Sequence, residues 1–310
     1  MSRRSPAQYF IVPRRTPDWS SLSERFQRDG TCEPSAFIPE ILPTGFPGDL
    51  RARVDLWNNT FNLDFFSCRA RLAEIAKESW AAVDGATLLP SNVALHQDAI
   101  AAVDARKRFL FVDDDDWFAP GLPALLEREI TAGAAIVRWA APSFNGEWTV
   151  RIQPAIGARL LVKLYRYANS RPVLEAVYRR LVGLLPQDPA CPLVPADHVL
   201  YTNNYAVTER YLRYFNDFAC VMDHTDATRL AIISRLRVQS RPRLYLSVTN
   251  KHPCSAGVIA RVGKLDGGEA RLRQRVADYV RRGRDRPIPE RLAWSKRYVD
   301  QTLDIFASIL

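Results

Sequence analysis

The chain has 310 residues, 47% of them hydrophobic and 25% charged, with a formal net charge of +9, which is enough for one large α/β domain or two small ones of ordinary globular composition. Its five cysteines, at 32, 68, 191, 220 and 254, are odd in number, widely spaced and without a CxxC pair, which argues against a zinc site or a disulfide framework and for a reduced compartment. The N-terminal MSRRSPAQYFIVPRR has too short an apolar run for a signal peptide, and no stretch reaches the roughly 18 apolar residues of a membrane span, so the expected location is cytoplasmic.

In chain order, YFIVPRR at 9–15 predicts a first strand ending in Pro13, Arg14 and Arg15. TPDWSSLSERFQ predicts a helix start with Ser20 or Ser21 as cap. Residues 30–49 are rich in Pro and Gly and read as a loop, while RVDLWNNTFNLDFF is ambiguous between strand and turn. CRARLAEIAKESWAAV has the 3.6 spacing of a helix. ATLLPSNVAL reads as a connection and HQDAIAAVDAR as a helix, leading into FLFVDDDDWFAP at 109–120.

That last segment is the most informative. Four apolar residues run into Asp113, Asp114, Asp115 and Asp116, then Trp117, Phe118 and Pro120. The apolar run reads as a buried strand, so the carboxylates sit at its C-terminal tip, where open α/β sheets place ligands. Four like charges repel one another unless a cation is near, and a hard divalent ion with carboxylate and phosphate oxygens suits them. The bland alternative is a solvated acidic loop.

Beyond it, LPALLEREITAG predicts a helix ending at Gly133, and AAIVRWAAPSFNGEWTVRIQP predicts two strands around an Asn145-Gly146 turn. Residues 158–185 read as a basic amphipathic helix pair broken near Pro172. HVLYTNNYAVTERYLRYF reads as strand then helix, and RLYLSVTNKHP as a late strand ending at His252. From about Gly268 the chain reads as basic helix in two pieces separated at Pro287 and Pro289; Arg261 to Asp300 holds 12 Lys and Arg against 6 Asp and Glu. No nucleic-acid recognition motif accompanies this charge, so an anionic nucleotide, acceptor or membrane face is the expected partner rather than nucleic acid.

A strand followed by Asp113-Asp114-Asp115-Asp116, an aromatic pair and Pro120 resembles the DxD or DxDD motif of glycosyltransferases with the GT-A fold. FNDFACVMDHTDATRLA at 215–231 resembles, in degraded form, a second pattern of those enzymes, with Asn216-Asp217, Asp223 and Arg229-Leu230 in matching places and Met222 where an acid is usual. The first strand and its loop also resemble, diffusely, bacterial rhamnosyltransferase-like proteins.

The resemblance implies a Rossmann-related α/β domain with a mainly parallel sheet over residues 1–260, split into a nucleotide-binding half at 8–118 and an acceptor half at 119–260, with a basic helical tail at 261–310. It implies Mn²⁺ or Mg²⁺ held by Asp113, Asp115 and His252. Nucleotide-sugar contacts would come from Arg14, Arg15, Asp113, Asp114, Asp116, Asn203 and Asn204. Asp223 is the implied base that takes the acceptor hydroxyl's proton, with Asp226 as its substitute; a helix cap is the plain reading of Asp223. His224, adjacent to Asp223, competes with His252 for the place of metal ligand, and His198 and His96 have weaker claims. The expected activity is inverting transfer from a nucleotide-diphospho-sugar to a hydroxyl of a glycan or lipid-linked acceptor, cytoplasmic or peripheral at the membrane. The alternatives are a two-metal phosphoryl transferase or nuclease, and a non-catalytic glycan- or membrane-binding protein.

Overall fold

The computed structural model describes residues 6–13, 18–29, 47–89, 106–130, 136–152, 193–195, 203–208 and 238–310. In chain order the strands there are β1 (Gln8–Pro13), β2 (Ala86–Leu88), β3 (Lys107–Val112), β4 (Trp117–Phe118), β5 (Ile136–Ala140), β6 (Pro142–Phe144), β7 (Trp148–Ile152), β8 (Leu193–Pro195), β9 (Tyr205–Thr208), β10 (Val238–Tyr245) and β11 (Ser247–Asn250). The helices are α1 (Trp19–Asp29), α2 (Pro47–Phe61), α3 (Phe65–Ala81), α4 (Leu122–Glu129), α5 (Ala256–Val262), α6 (Gly268–Asp285) and α7 (Lys296–Ala307), with a 3₁₀ turn at Glu290–Ser295.

A six-stranded sheet has the order β10-β5-β9-β3-β1-β2. β9 runs antiparallel to both neighbours, and the other five strands share one direction. The protein is therefore mixed α/β with a mostly parallel main sheet. β3 is buried from Arg108 to Val112, on both faces, the situation in which a strand reads as a continuous apolar run. A second sheet, β4-β11-β6-β7-β8, begins where β3 ends: β4 follows the acidic turn and pairs antiparallel with β11. The segment expected as one late strand is thus two, β10 and β11, which leave Leu246 between them and belong to different sheets.

The ambiguous RVDLWNNTFNLDFF lies in α2 and the start of α3. Val54, Trp57 and Phe61, spaced three and four apart, give α2 its buried face, which outweighs the polar Asn58-Asn59-Thr60 interruption. The joint turns at Asn62, whose φ of 51° is left-handed, a conformation that Asn tolerates better than most residues. Asp64 then caps α3, accepting from the Phe66 N–H at 3.0 Å. At α1 the capping carboxylate is Asp18, which accepts from the Ser21 N–H at 3.1 Å, rather than Ser20 or Ser21. The expected connection at ATLL contains β2.

The Asn145-Gly146 turn closes the β6–β7 hairpin, with Phe144 opposite Trp148. Gly146 has φ of 84°, and a Cβ there would lie 2.7 Å from the Tyr279 carbonyl oxygen on α6. Gly146→Ala should therefore combine left-handed strain with a backbone clash and lower the unfolding free energy by about 2–4 kcal/mol in urea titration. A loss within ~0.5 kcal/mol of wild type would mean the hairpin does not rest on α6.

Residues 261–310, expected as a basic tail, break at Pro287 and Pro289 as anticipated but are not an appendage. Leu272, Val276 and Tyr279 of α6 and Leu303, Ile305 and Phe306 of α7 belong to the same apolar cluster as Trp57, Trp117 and Phe144. Each such residue contributes about 1.5–3 kcal/mol of transfer free energy when fully buried. The arginines take the outer face of α6, and its apolar stripe faces the core. Among the described residues no helix is long and apolar enough to cross a membrane.

Arg14, Arg15, His96, the 158–185 helix pair, His198, Asp223, His224 and Asp226 lie outside the described residues, as do most of 30–49 and the expected helix before β3.

Candidate functional site

The acidic turn is built where β3 leaves the main sheet. The Asp116 N–H bonds the Asp113 carbonyl at 3.2 Å, a turn that favours Asp at its first position. β9 runs opposite to β3, so Asn203 and Asn204, which precede it, arrive beside the β3 tip. β11 pairs with β4 and delivers Asn250, Lys251 and His252 from the other side.

The four carboxylates have different surroundings. Asp116 is 2% exposed and held on both oxygens, by the Asn203 amide at 2.8 Å and the Asn250 N–H at 2.9 Å. Its own carbonyl accepts from the Trp80 indole at 3.0 Å. Burial, then the charges of Asp115 and Asp113, push its carboxyl well above the ordinary range. Asp114 accepts from the Trp19 indole at 2.8 Å, and its two oxygens accept from Arg69 Nη2 at 2.9 and 3.0 Å. Burial raises it to about 6 against the pull of Arg69. Burial would also raise Asp115, but Arg69 and His252 outweigh it and hold that carboxyl well below the ordinary range. Asp113 is half-buried at the mouth of the turn.

Arg69, from α3, is the residue that sequence reasoning missed. Its Nη1 donates to Asp115 Oδ2 at 2.9 Å and lies 2.7 Å from His252 Nε2, which is itself 2.8 Å from Asp115 Oδ2. Its guanidinium lies 4.8 Å from the centre of the Trp19 ring, within cation–π range. Burial works against its charge, but Asp114 and Asp115 more than restore it. His252 is fully buried and stacks on Phe306 of α7 at 6.0 Å, and its Nδ1 has no hydrogen-bond partner. Burial, with Arg69 and Lys251 near, pushes His252 below the ordinary imidazole value despite Asp115. Beneath lie the free thiols of Cys68 and Cys254, buried and hydrogen-bonded to each other.

A cavity of about 460 Å³ opens at the C-terminal ends of β1 and β2, lined by Pro13, Trp19, Ala73, Lys77, Trp80 and Leu88 among others. Trp19 and Trp80 are shared walls: each faces the cavity and bonds the acidic turn.

The structure thus brings together Asp113, Asp114, Asp115, Asp116, Asn203, Asn204 and His252. Asn203 ties Asp116 to β11, also donating to the Val248 carbonyl at 3.1 Å. Asn204 points to the sheet instead, donating to the Trp139 carbonyl at 3.3 Å. The expected Mn²⁺ or Mg²⁺ site does not fit this arrangement. Asp115 and His252 already share a cation, the Arg69 guanidinium, and among the described residues no three His, Cys, Asp or Glu side chains are placed to hold a metal ion.

Compared with known proteins, the chain matches no family model, no curated protein and no solved structure.

Proposed function

We propose that the chain is a GT-A-type glycosyltransferase, moving a glycosyl group from a nucleotide-diphospho-sugar to a hydroxyl of a glycan or lipid-linked acceptor. The observation that carries this reading is the acidic turn at the C-terminal tip of a parallel strand, beside a cavity at the ends of its parallel neighbours. Open α/β sheets take their ligands at that edge. The cavity falls in the usual range for small-molecule sites, about 300–1,000 Å³, and suits the nucleoside, with Trp19 and Leu88 as apolar walls and Lys77 near the rim.

In this reading the diphosphate and sugar extend from the cavity across the mouth of the turn, past half-buried Asp113. Lys251, exposed beside His252, supplies positive charge close enough to act on Asp116. The acceptor hydroxyl attacks the anomeric carbon, its proton passes to Asp223, and the bond to the diphosphate breaks, releasing nucleoside diphosphate. Asp223→Asn should then keep donor binding and lose turnover by about 10²–10⁴-fold. If turnover persists, Asp226 takes the role or the mechanism is retaining. The membrane-peripheral placement is proposed on the same terms: co-sedimentation with anionic vesicles should fall with salt.

The experiment is a panel of nucleotide-diphospho-sugars scored for nucleoside diphosphate release, with Asp113→Asn as control. Release from one donor, lost in the variant, supports the reading. Inorganic phosphate or nucleic-acid fragments as the product would favour a phosphoryl transferase or nuclease instead. Binding without turnover would favour a non-catalytic glycan-binding protein.

A further inference from the structure

We infer that Arg69 is the resident cation of the acidic turn: its guanidinium, set against Asp114, Asp115 and His252, stands in for the divalent metal that the resemblance gives to Asp113, Asp115 and His252, and ligand binding at this turn does not require one. For the nucleotide this rests on the glycosyltransferase reading; for the metal it does not.

The geometry is that of a cation site with the cation present. Asp115 Oδ2 and His252 Nε2 are 2.8 Å apart, close to the separation of about 3 Å for neighbouring ligands around one small divalent ion. Arg69 Nη1 stands 2.9 Å from the first and 2.7 Å from the second. A guanidinium carries protons on every nitrogen and is never deprotonated in a protein, so it is always a donor here. The same group turns its other fork to both oxygens of Asp114. One planar, permanently charged group thereby pairs with two carboxylates at once, a geometry that a lysine could not copy.

Arg69 is also held in place. Its helix starts at the Asp64 cap five residues earlier, and its guanidinium lies against the face of Trp19, whose indole N–H bonds the same Asp114 carboxylate. Asp116, the remaining buried acid, has both oxygens occupied by the Asn203 amide and the Asn250 N–H. A metal entering between Asp115 and His252 would have to expel a buried, paired guanidinium, which weakens its binding by about 100-fold or more. The chain thus does with α3 what the resemblance assigns to an ion.

The test uses the full chain and Mn²⁺ as probe, followed by electron paramagnetic resonance. Wild type should leave Mn²⁺ free at concentrations up to about 1 mM. One Mn²⁺ bound per chain, lost in Asp115→Asn or His252→Ala, overturns the inference. Arg69→Ala frees two donors 2.8 Å apart and should gain Mn²⁺ affinity by at least about tenfold. A variant with native circular dichroism and no gain removes the part given to Arg69; if it does not fold, the wild-type titration alone decides. UDP, GDP and dTDP are then titrated in EDTA and in Mn²⁺. Whichever binds should do so equally within about threefold, and a Mn²⁺ requirement of tenfold or more contradicts the inference. If none binds in either buffer, the glycosyltransferase reading fails, while the Mn²⁺ titration still decides whether Arg69 fills the cation's place.

Discussion

Arg69→Met lowers the unfolding free energy by about 3–5 kcal/mol in the expected result, among the largest effects of any single substitution in this chain. Methionine fills much of the same space, so little of the loss comes from packing. The loss comes from Asp114 and Asp115, which keep their burial and lose their counter-charge. A charge stripped of its partner in a low-dielectric interior costs far more than the intact pair contributes. The second variant that proves the cause is Asp114→Asn. Combined with Arg69→Met it should cost less than the sum of the two single changes, because the neutral amide no longer needs the guanidinium. Urea unfolding of the four proteins gives the coupling directly. A loss under ~1 kcal/mol for Arg69→Met would show that water or another cation reaches these carboxylates, as at an exposed ion pair.

Phe306→Ala is expected to cost about 3–5 kcal/mol, the range for emptying a fully buried aromatic site. Phe306 sits four residues from the end of the chain, yet its ring lies 5.3 Å from Tyr279, 6.0 Å from His252 and 6.4 Å from Trp57. It joins α7 to α6, to α2 and to the floor of the acidic site at once. The loss should therefore appear as one cooperative transition of the whole domain, not as early melting of the last helices. Early loss of helix signal with an unchanged main transition would mean that residues 261–310 fold as an appended unit. Tyr279 links the same helices to the site by donating its hydroxyl to Asn250 Oδ1 at 3.1 Å, one residue from Lys251 and next to the backbone that holds Asp116.

The parts of the site legible in the sequence are those encoded locally. FLFV followed by four acids and WFAP carries its own strand, turn and next strand, and both the position and the burial of the turn follow from it. The Asn145-Gly146 hairpin is local in the same way. What the sequence hides is long-range. Asn203 lies 87 residues from Asp116 and His252 lies 137 from Asp115, so their meeting depends on an antiparallel strand and on a second sheet that no short pattern announces.

Arg69 has a local signal in the sequence. Helical spacing puts it on the stripe of Phe65, Phe66, Leu72, Ala73 and Ala76, and an arginine on a buried stripe requires a buried acid. The spacing identifies the need and not the partner, which lies on another element. The C-terminal helices hide their packing for the converse reason. Six arginines in α6 dominate its composition, while Leu272, Val276, Tyr279 and Val280 keep a narrow apolar stripe at helical spacing. Charge counts describe the outer face, and period describes the buried one.

If the chain is a glycosyltransferase, a nucleoside diphosphate should bind in the cavity beside the acidic turn. Isothermal titration of UDP, GDP and dTDP into wild type and Ala70→Trp tests it most directly. Ala70 lines the cavity from α3, and a tryptophan there would take up part of its space. One of the three should bind wild type with a Kd in the range of about 1 μM to 1 mM, and a folded Ala70→Trp should lose it. No binding by any of the three, or binding that Ala70→Trp leaves unchanged, would rule out this cavity as a nucleotide site.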